Sequence, residues 1–416
     1  MPNKKGKRRK KPMNEQLELE ECTQKIIGSH STFSDLNSDD KKVSELSLNS
    51  ILQDDLLEHI LVYLPIASIV RAGLVCKKWR DITTSKRFLW NASQSVSQNP
   101  WFVKFFNDFE KGWYAYDPIL QKWQERNFLH MIELEPFASF DSSDGLVCFV
   151  ENNEIHVCNP ITKEHKKLQE PLGMSLCLSS YHACICPSLI CHPPLINIWV
   201  NRRLHNYNVS VLYCEEVARS HGEFSFQIYD SATMKWTTSQ PEILTGWKSA
   251  RKSVICNGVL YFLVSSIWTG RGSREEYGLL AYNLSSDSSS HGTLINSFIP
   301  LPCSVICGLM NLKEKLIMVG AIGSSCDEEL NSGFSIFLLK GNVWQEISRI
   351  TDTCFYDRDE EFNCSGADDL IYIHGDYDPQ LVVFDMNSKQ WTCCQECPMN
   401  DVTNGFCLQP RLDISP

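Results

Sequence analysis

No stretch of this 416-residue chain reaches about 18 consecutive apolar residues, which excludes a helix of membrane-spanning length and makes a membrane an unexpected partner. The start, Met1–Pro12, has no apolar segment behind its basic residues, so no secretory leader is expected. Positive charge is short: 39 Lys and Arg stand against 50 Asp and Glu, a net charge of −11. Seven of the basic side chains sit between Lys4 and Lys11, so the rest carries about −18. That balance excludes a global nucleic-acid-binding surface. Glycine-rich phosphate loops and a Ser-His-Asp arrangement are missing, and no enzymatic function is expected. The 11 histidines are scattered, with no pair at helix or strand spacing. Cys184, Cys186, Cys191 and His192 fit no standard zinc module, and Cys394–Cys397 is a lone CxxC without a βαβ setting. No metal and no cofactor are expected. The 19 cysteines, odd in number and irregular in spacing, read as small buried hydrophobes in a reducing compartment.

What is present divides the chain. Residues 1–45 read as a disordered tail: a basic run of Lys4, Lys5, Lys7, Arg8, Arg9, Lys10 and Lys11, then a Ser/Asp/Lys-rich stretch that buries too little to offset its ordering entropy. The run has the composition of a nuclear import signal, and a chain shared between nucleus and cytoplasm is expected. A solvated tail without a receptor is the other reading.

Residues 46–92 form a small all-α module. Leu48, Leu52, Leu56, Leu57, Ile60, Leu61 and Leu64 recur at helical spacing. Asp54 stands where a helix N-terminus is capped, with the helix running to Tyr63 and stopped by Pro65. Ile66, Ile69, Val70 and Leu74 start a second helical pattern, with Gly73 near its end; Val75, Cys76, Trp79 and Ile82 start a third. A unit this small needs a neighbour or partner to cover its apolar faces.

From about residue 100 to 412 the pattern is all-β and repetitive. Tyr116-Asp117, Tyr229-Asp230 and Phe384-Asp385 are each followed, six residues after the aromatic's Asp, by Trp123, Trp236 and Trp391. Asp starts a turn through side-chain bonds to the backbone; Trp opens the returning strand and packs between neighbouring sheets. Cys158-Asn159 keeps the spacing with His165 in the Trp slot, and Leu338 to Trp344 keeps the Trp on a shorter turn. Asp117, Asn159, Asp230, Asn283 and Asp385 are separated by 42, 71, 53 and 102 residues, the last being two units. Four strands per unit at this pitch predict a propeller of six blades. The 71-residue interval calls for an insertion, placed at Gly173–Arg203. The first unit lacks its innermost strand, and the surplus strand Gly405–Leu408 fits there and closes the ring.

The helical module resembles an F-box: Leu52-Gln53-Asp54-Asp55-Leu56-Leu57, Leu61-Val62-Tyr63-Leu64-Pro65, Arg71, and Val75-Cys76-Lys77-Lys78-Trp79-Arg80. Gln53 departs from the proline usual there. Over residues 46–416 the chain resembles a plant F-box/kelch-repeat protein, through Leu64–Ile69, Tyr114–Ile119, Ser253–Asn257, Ser297–Pro300 and the C-terminal Gly-Phe-Cys and Pro-Arg-Leu. No blade carries the adjacent glycine pair of a standard kelch unit.

The resemblance implies the substrate-recognition subunit of an SCF-type ubiquitin ligase, without catalytic residues of its own. The F-box would bind a Skp-type (Ask) adaptor, and through it a cullin and a RING protein, while the propeller holds an unknown protein target for ubiquitination and proteasomal degradation. By the same resemblance the adaptor contacts are Leu52, Leu56, Ile60, Leu64, Pro65, Val75, Cys76 and Trp79. Half of these positions also read as the module's own small core. Target contacts are expected on the loop holding Trp268, Arg271 and Arg274, an aromatic beside two forked donors; an ordinary solvated loop is the other reading. A propeller-based interaction scaffold outside the ubiquitin pathway is the alternative function.

Overall fold

The computed structural model describes residues 53–95, 99–106, 113–126, 139–151, 154–169, 194–218, 221–239, 242–266, 276–284, 293–303, 305–322, 333–351, 362–375, 378–398 and 403–416. Four helices come first: α1 (Asp54–Leu61), α2 (Ile66–Ala72), α3 (Lys77–Thr83) and α4 (Lys86–Ser95). Pro65 does two jobs. It ends the turn after α1, and its carbonyl accepts from Ser68 and Ile69 to open α2. The fourth helix is additional to the three read from the periodicity. Its cue is Ser85, whose hydroxyl accepts from the Phe88 amide at 3.2 Å, followed by Phe88 and Ala92, four apart and both buried.

Six sheets follow. Their first strands line one axis and touch in a closed circle: Thr403–Leu408, Phe140–Ser143, Leu195–Asn201, Trp247–Cys256, Val305–Asn311, Phe362–Ala367 and back to Thr403–Leu408. This is a six-bladed propeller. Blade one takes its innermost strand from the C-terminus. Trp101 pairs with Leu408, and the register continues to Phe106 with Thr403. The surplus strand foreseen in the sequence therefore closes the ring. Blade three departs from the four-strand plan, because Glu242–Thr245 also pairs with the start of its third strand. Leu195–Asn201 is that blade's innermost strand. The later part of the stretch assigned to an insertion is thus part of the sheet, and residues 173–193 lie outside the described residues.

Each of the six blade-to-blade seams has its own apolar cluster. Within Leu146–Glu151, Leu146, Cys148 and Val150 pack towards blade three, while Val147 and Phe149 pack towards blade one. Side chains alternate across a strand, and here both faces are covered. That is why the strand reads as an unbroken apolar run instead of alternating with polar residues. None of the described cysteines forms a disulfide.

The repeated turn has the chemistry its residues predict. Asp117 Oδ1 accepts from the amides of Ile119 (2.9 Å) and Leu120 (3.2 Å). Asn159 does the same for Ile161 and Thr162, and Asp385 for Asn387 and Ser388. Four residues after each of these side chains, Gln121, Lys163 and Lys389 have positive φ, as Met234 does after Asp230. The tryptophans then reach back one blade. Trp123 Nε1 donates to Gln395 O (2.7 Å), Trp236 Nε1 to Gln169 O (2.8 Å) and Trp391 Nε1 to Ser348 Oγ (2.9 Å).

Candidate functional site

The helical module turns large apolar side chains both ways. In α1, Leu57 and Leu61 are 2% and 1% exposed, whereas Leu56 and Ile60 are 51% and 48% exposed. Residues four apart share a helix face, so α1 has one stripe sealed in the module and another in solvent. Tyr63, just beyond α1, is exposed on that side, with His59 edge-on to its ring at 5.3 Å. Lys78 pairs with Asp54 at 2.7 Å, which sets the start of α3 beside the start of α1. Leu74 and Val75 lead into α3 and are the most exposed large hydrophobics of the module. Pro65 is exposed; Leu64, Cys76 and Trp79 are half-buried. Leu74 was expected to belong to the second helical pattern. That helix ends at Ala72, so Leu74 lies past its last turn. Glu58 accepts from Arg87 and from Asn91 (3.4 Å), tying α1 to α4 on the side away from this stripe.

Among the positions expected to contact an adaptor, Leu52 lies outside the described residues. Leu56, Ile60, Pro65 and Val75 are exposed, and Leu64, Cys76 and Trp79 partly so. Tyr63 and Leu74, which are not among those positions, are exposed as well. Trp268, Arg271 and Arg274 lie outside the described residues, as do Lys4, Lys5, Lys7, Arg8, Arg9, Lys10, Lys11 and the Cys184–His192 group.

The module meets the ring at the end where the first and second strands of each blade are joined. Trp90 of α4 lies 4.4 Å from His205, ring centroid to centroid, in the first turn of blade three. Ile66, Ile69, Leu89 and Ala92 face Arg202, Asp368 and Gln409–Leu412 across a cavity of about 190 Å³. Asp144 accepts from Arg202, and Arg411 pairs with Asp413, so the charges along this seam are largely matched.

The axis of the ring encloses a channel of about 960 Å³, lined by all six innermost strands. Its walls carry polar groups among apolar ones. Ser253 Oγ donates to Asn197 Oδ1 at 2.9 Å, and Ser142 Oγ to Cys407 O at 2.6 Å. Asp141 accepts from the Ile198 amide at 2.8 Å. Burial pushes its carboxyl up to about 7, against the pull of amide bonds from Ile198 and Ser142. His374 is buried elsewhere in the same lining; burial, and then the charge of Lys104, push its imidazole down to about 3. Lys252 of blade four reaches across to Cys307 O of blade five and to Asn363 Oδ1 of blade six (3.5 Å).

One histidine pair escaped the sequence reading. His156 Nδ1 and His165 Nε2 are 2.9 Å apart, with rings stacked, in the slot where other blades have the tryptophan. Hairpin register brings them together, since Cys158 pairs with His165 and His156 is two residues further along the same face. Among the described residues no group of three or more His, Cys, Asp and Glu is placed to hold a metal.

Comparison with known proteins matches both parts. The F-box domain model covers residues 50–91, and a model described as "F-box protein At3g26010-like, beta-propeller" covers residues 126–314. F-box/kelch-repeat protein At3g61590 of Arabidopsis thaliana is 43% identical over 401 residues, 92% of this chain and 95% of that protein. F-box only protein 6 of Arabidopsis thaliana is 24% identical over 376 residues, 82% of this chain and 68% of that protein.

Proposed function

This chain belongs to the F-box/kelch-repeat proteins, and from that premise we propose that it is the substrate-recognition subunit of an SCF-type ubiquitin ligase. An F-box domain implies binding to a Skp-type adaptor. The observation that carries the reading here is the outward stripe of Leu56, Ile60 and Tyr63 beside Leu74 and Val75, while Leu57 and Leu61 complete the module's interior. Burying a side chain of this size is worth about 1.5–3 kcal/mol, so a partner surface that covers the stripe gains several such contributions. Leu64, Pro65, Cys76 and Trp79 border it and complete the contact, with Leu52 preceding it in sequence.

Through the adaptor the chain joins a cullin and a RING protein. The propeller holds the target, and catalysis is by proximity: a tethered lysine meets the ubiquitin thioester at high effective concentration. This chain supplies no nucleophile. The helical module occupies the end of the ring where first and second strands join, which leaves the opposite end for the target. The strands Val259–Ser266 and Tyr277–Asn283 run to and from that end, and Trp268, Arg271 and Arg274 lie between them in sequence. The basic run Lys4–Lys11 directs part of the protein to the nucleus, with the remainder in the cytoplasm.

Co-purification of the full chain with a Skp-type adaptor, and its loss in the Leu64→Ala, Trp79→Ala double variant, tests the reading. An intact chain that binds no such adaptor would overturn it. Import is tested separately by neutralising the basic run and following the protein's distribution; an unchanged distribution would remove the run from the account.

A further inference from the structure

Among the described residues, one charge in the channel has no matching opposite. Lys252 extends from blade four past blade five to blade six, and the two oxygens it meets, Cys307 O and Asn363 Oδ1, are both neutral. An ammonium has three donors, and two of them are used. Among the described residues, no carboxylate forms an ion pair with Lys252. The groups its charge reaches are the thiols of Cys307 and Cys364 and the imidazole of His374.

The carboxylates lining the same channel are engaged or distant. Asp144 is matched by Arg202 and, at 3.9 Å, by Arg411. Glu314 accepts from the Asn257 amide at 2.6 Å and from Asn311 at 3.4 Å. Asp141 is held by main-chain amides and, with its carboxyl near 7, is only partly charged at neutral pH. Asp368 stands at a turn five residues along the strand from Asn363, about 16 Å away at the rise of an extended chain. Lys252 is half-buried, and an anion entering the bore supplies the counter-charge its ammonium lacks among the described residues.

We propose that the propeller channel is a binding site for a small free anion, a carboxylate- or phosphate-bearing molecule, that takes the remaining donor of Lys252. The channel has room for one: its 960 Å³ lies at the upper end of the usual range for small-molecule sites. Ser253 and Asn197, on the neighbouring wall, supply neutral polar groups at the same bore. The bound molecule sits where blades four, five and six converge and ties them together. This inference does not depend on adaptor binding.

The test is thermal melting of the full chain, titrated with inorganic phosphate and, separately, with malonate, against chloride at matched ionic strength. The site predicts a saturable rise in melting temperature for the wild type and for Lys252→Arg. Lys252→Gln, which keeps a donor for Cys307 O and loses the charge, is expected to weaken the apparent affinity roughly tenfold or more. If Lys252→Gln does not fold, equilibrium dialysis of the wild type with labelled phosphate decides: one saturable site, displaced by malonate and retained in Lys252→Arg, supports the proposal. No saturable binding by the wild type, or an equal response in Lys252→Gln, would overturn it. Native mass spectrometry of protein taken directly from cells separates the sources: a retained organic mass identifies a metabolite, and a retained mass equal to that of phosphoric acid identifies inorganic phosphate.

Discussion

The indole Nε1 of Trp123 donates to the carbonyl oxygen of Gln395 across 2.7 Å, joining blade one to blade six over 272 residues of sequence. It spans the seam at which the ring closes. The same residue type makes the equivalent bond from blade three to blade two and from blade six to blade five. Trp344 occupies the corresponding position in blade five, but its Nε1 has no hydrogen-bond partner among the described residues. The four tryptophans therefore separate ring packing from hydrogen bonding. Trp123→Phe, Trp236→Phe and Trp391→Phe are each expected to destabilise by about 1 kcal/mol beyond the loss of ring area. Trp344→Phe is expected to cost less or to stabilise, because it removes a buried donor without a partner. Urea unfolding of the four variants checks this; equal losses at all four positions would contradict it.

Closure depends on the C-terminal strand. Leu408 and Phe406 are buried against Val103, Phe105 and blade two. Leu408→Ala is expected to lose about 2–5 kcal/mol. Truncation after residue 402 exposes the edge of Trp101–Phe106, an invitation to strand pairing between molecules. Size-exclusion chromatography should show oligomers of the truncated chain. A monomer with the wild-type melting temperature would contradict the closure.

The turns allow a stabilising change. Met234 is exposed at φ 55°, and its amide bonds to Asp230 O at 2.8 Å. A side chain in this left-handed region costs about 1–2 kcal/mol, and glycine removes that cost while losing up to about 1 kcal/mol to its own flexibility. Met234→Gly is therefore expected to be neutral or stabilising, and Asp230→Ala, which removes the turn's side-chain acceptor, destabilising by about 1 kcal/mol. Calorimetric melting distinguishes the two signs.

Asp141 gives a pH dependence with a definite direction. Its carboxyl is raised from 3.8 to about 7 by burial, so the fold favours the protonated form. The associated stability is complete below the unfolded value of 3.8 and is lost as pH rises through about 7. Asp141→Asn is expected to raise the melting temperature near pH 8 and to change it little near pH 5. His374, lowered to about 3 by burial, acts in the opposite sense: its contribution is present above the unfolded value and falls as the pH drops towards 3. A wild-type profile that is unaltered by Asp141→Asn across this range would remove the carboxyl from the account.

Much of the architecture is legible in the chain because its signals are local. The Asp-to-Trp spacing marks a turn and a returning strand within eight residues, and Leu146–Val150 shows its two covered faces as one apolar run. The leftover strand at Gly405–Leu408 is visible by counting. The channel is different. Lys252, Cys307 and Asn363 come from three blades, and no short-range pattern links a lysine to an asparagine 111 residues away. The His156–His165 contact depends on hairpin register, nine residues apart, rather than on any ligand-like spacing. In the helical module, periodicity identifies Leu56, Leu57, Ile60 and Leu61 as apolar but does not say which pair faces inward. That is decided by where α3 and α4 pack, and Leu74 is exposed because α2 stops two residues before it.

The most direct measurement is the affinity of the full chain for a Skp-type adaptor, in the wild type and in Ile60→Asp and Val75→Asp. Both side chains are exposed, so the variants should keep the wild-type melting temperature. The account predicts tight binding by the wild type and a loss of about 2 kcal/mol or more per substitution, roughly thirtyfold in dissociation constant. Unchanged affinity in both variants, with folding intact, would contradict it.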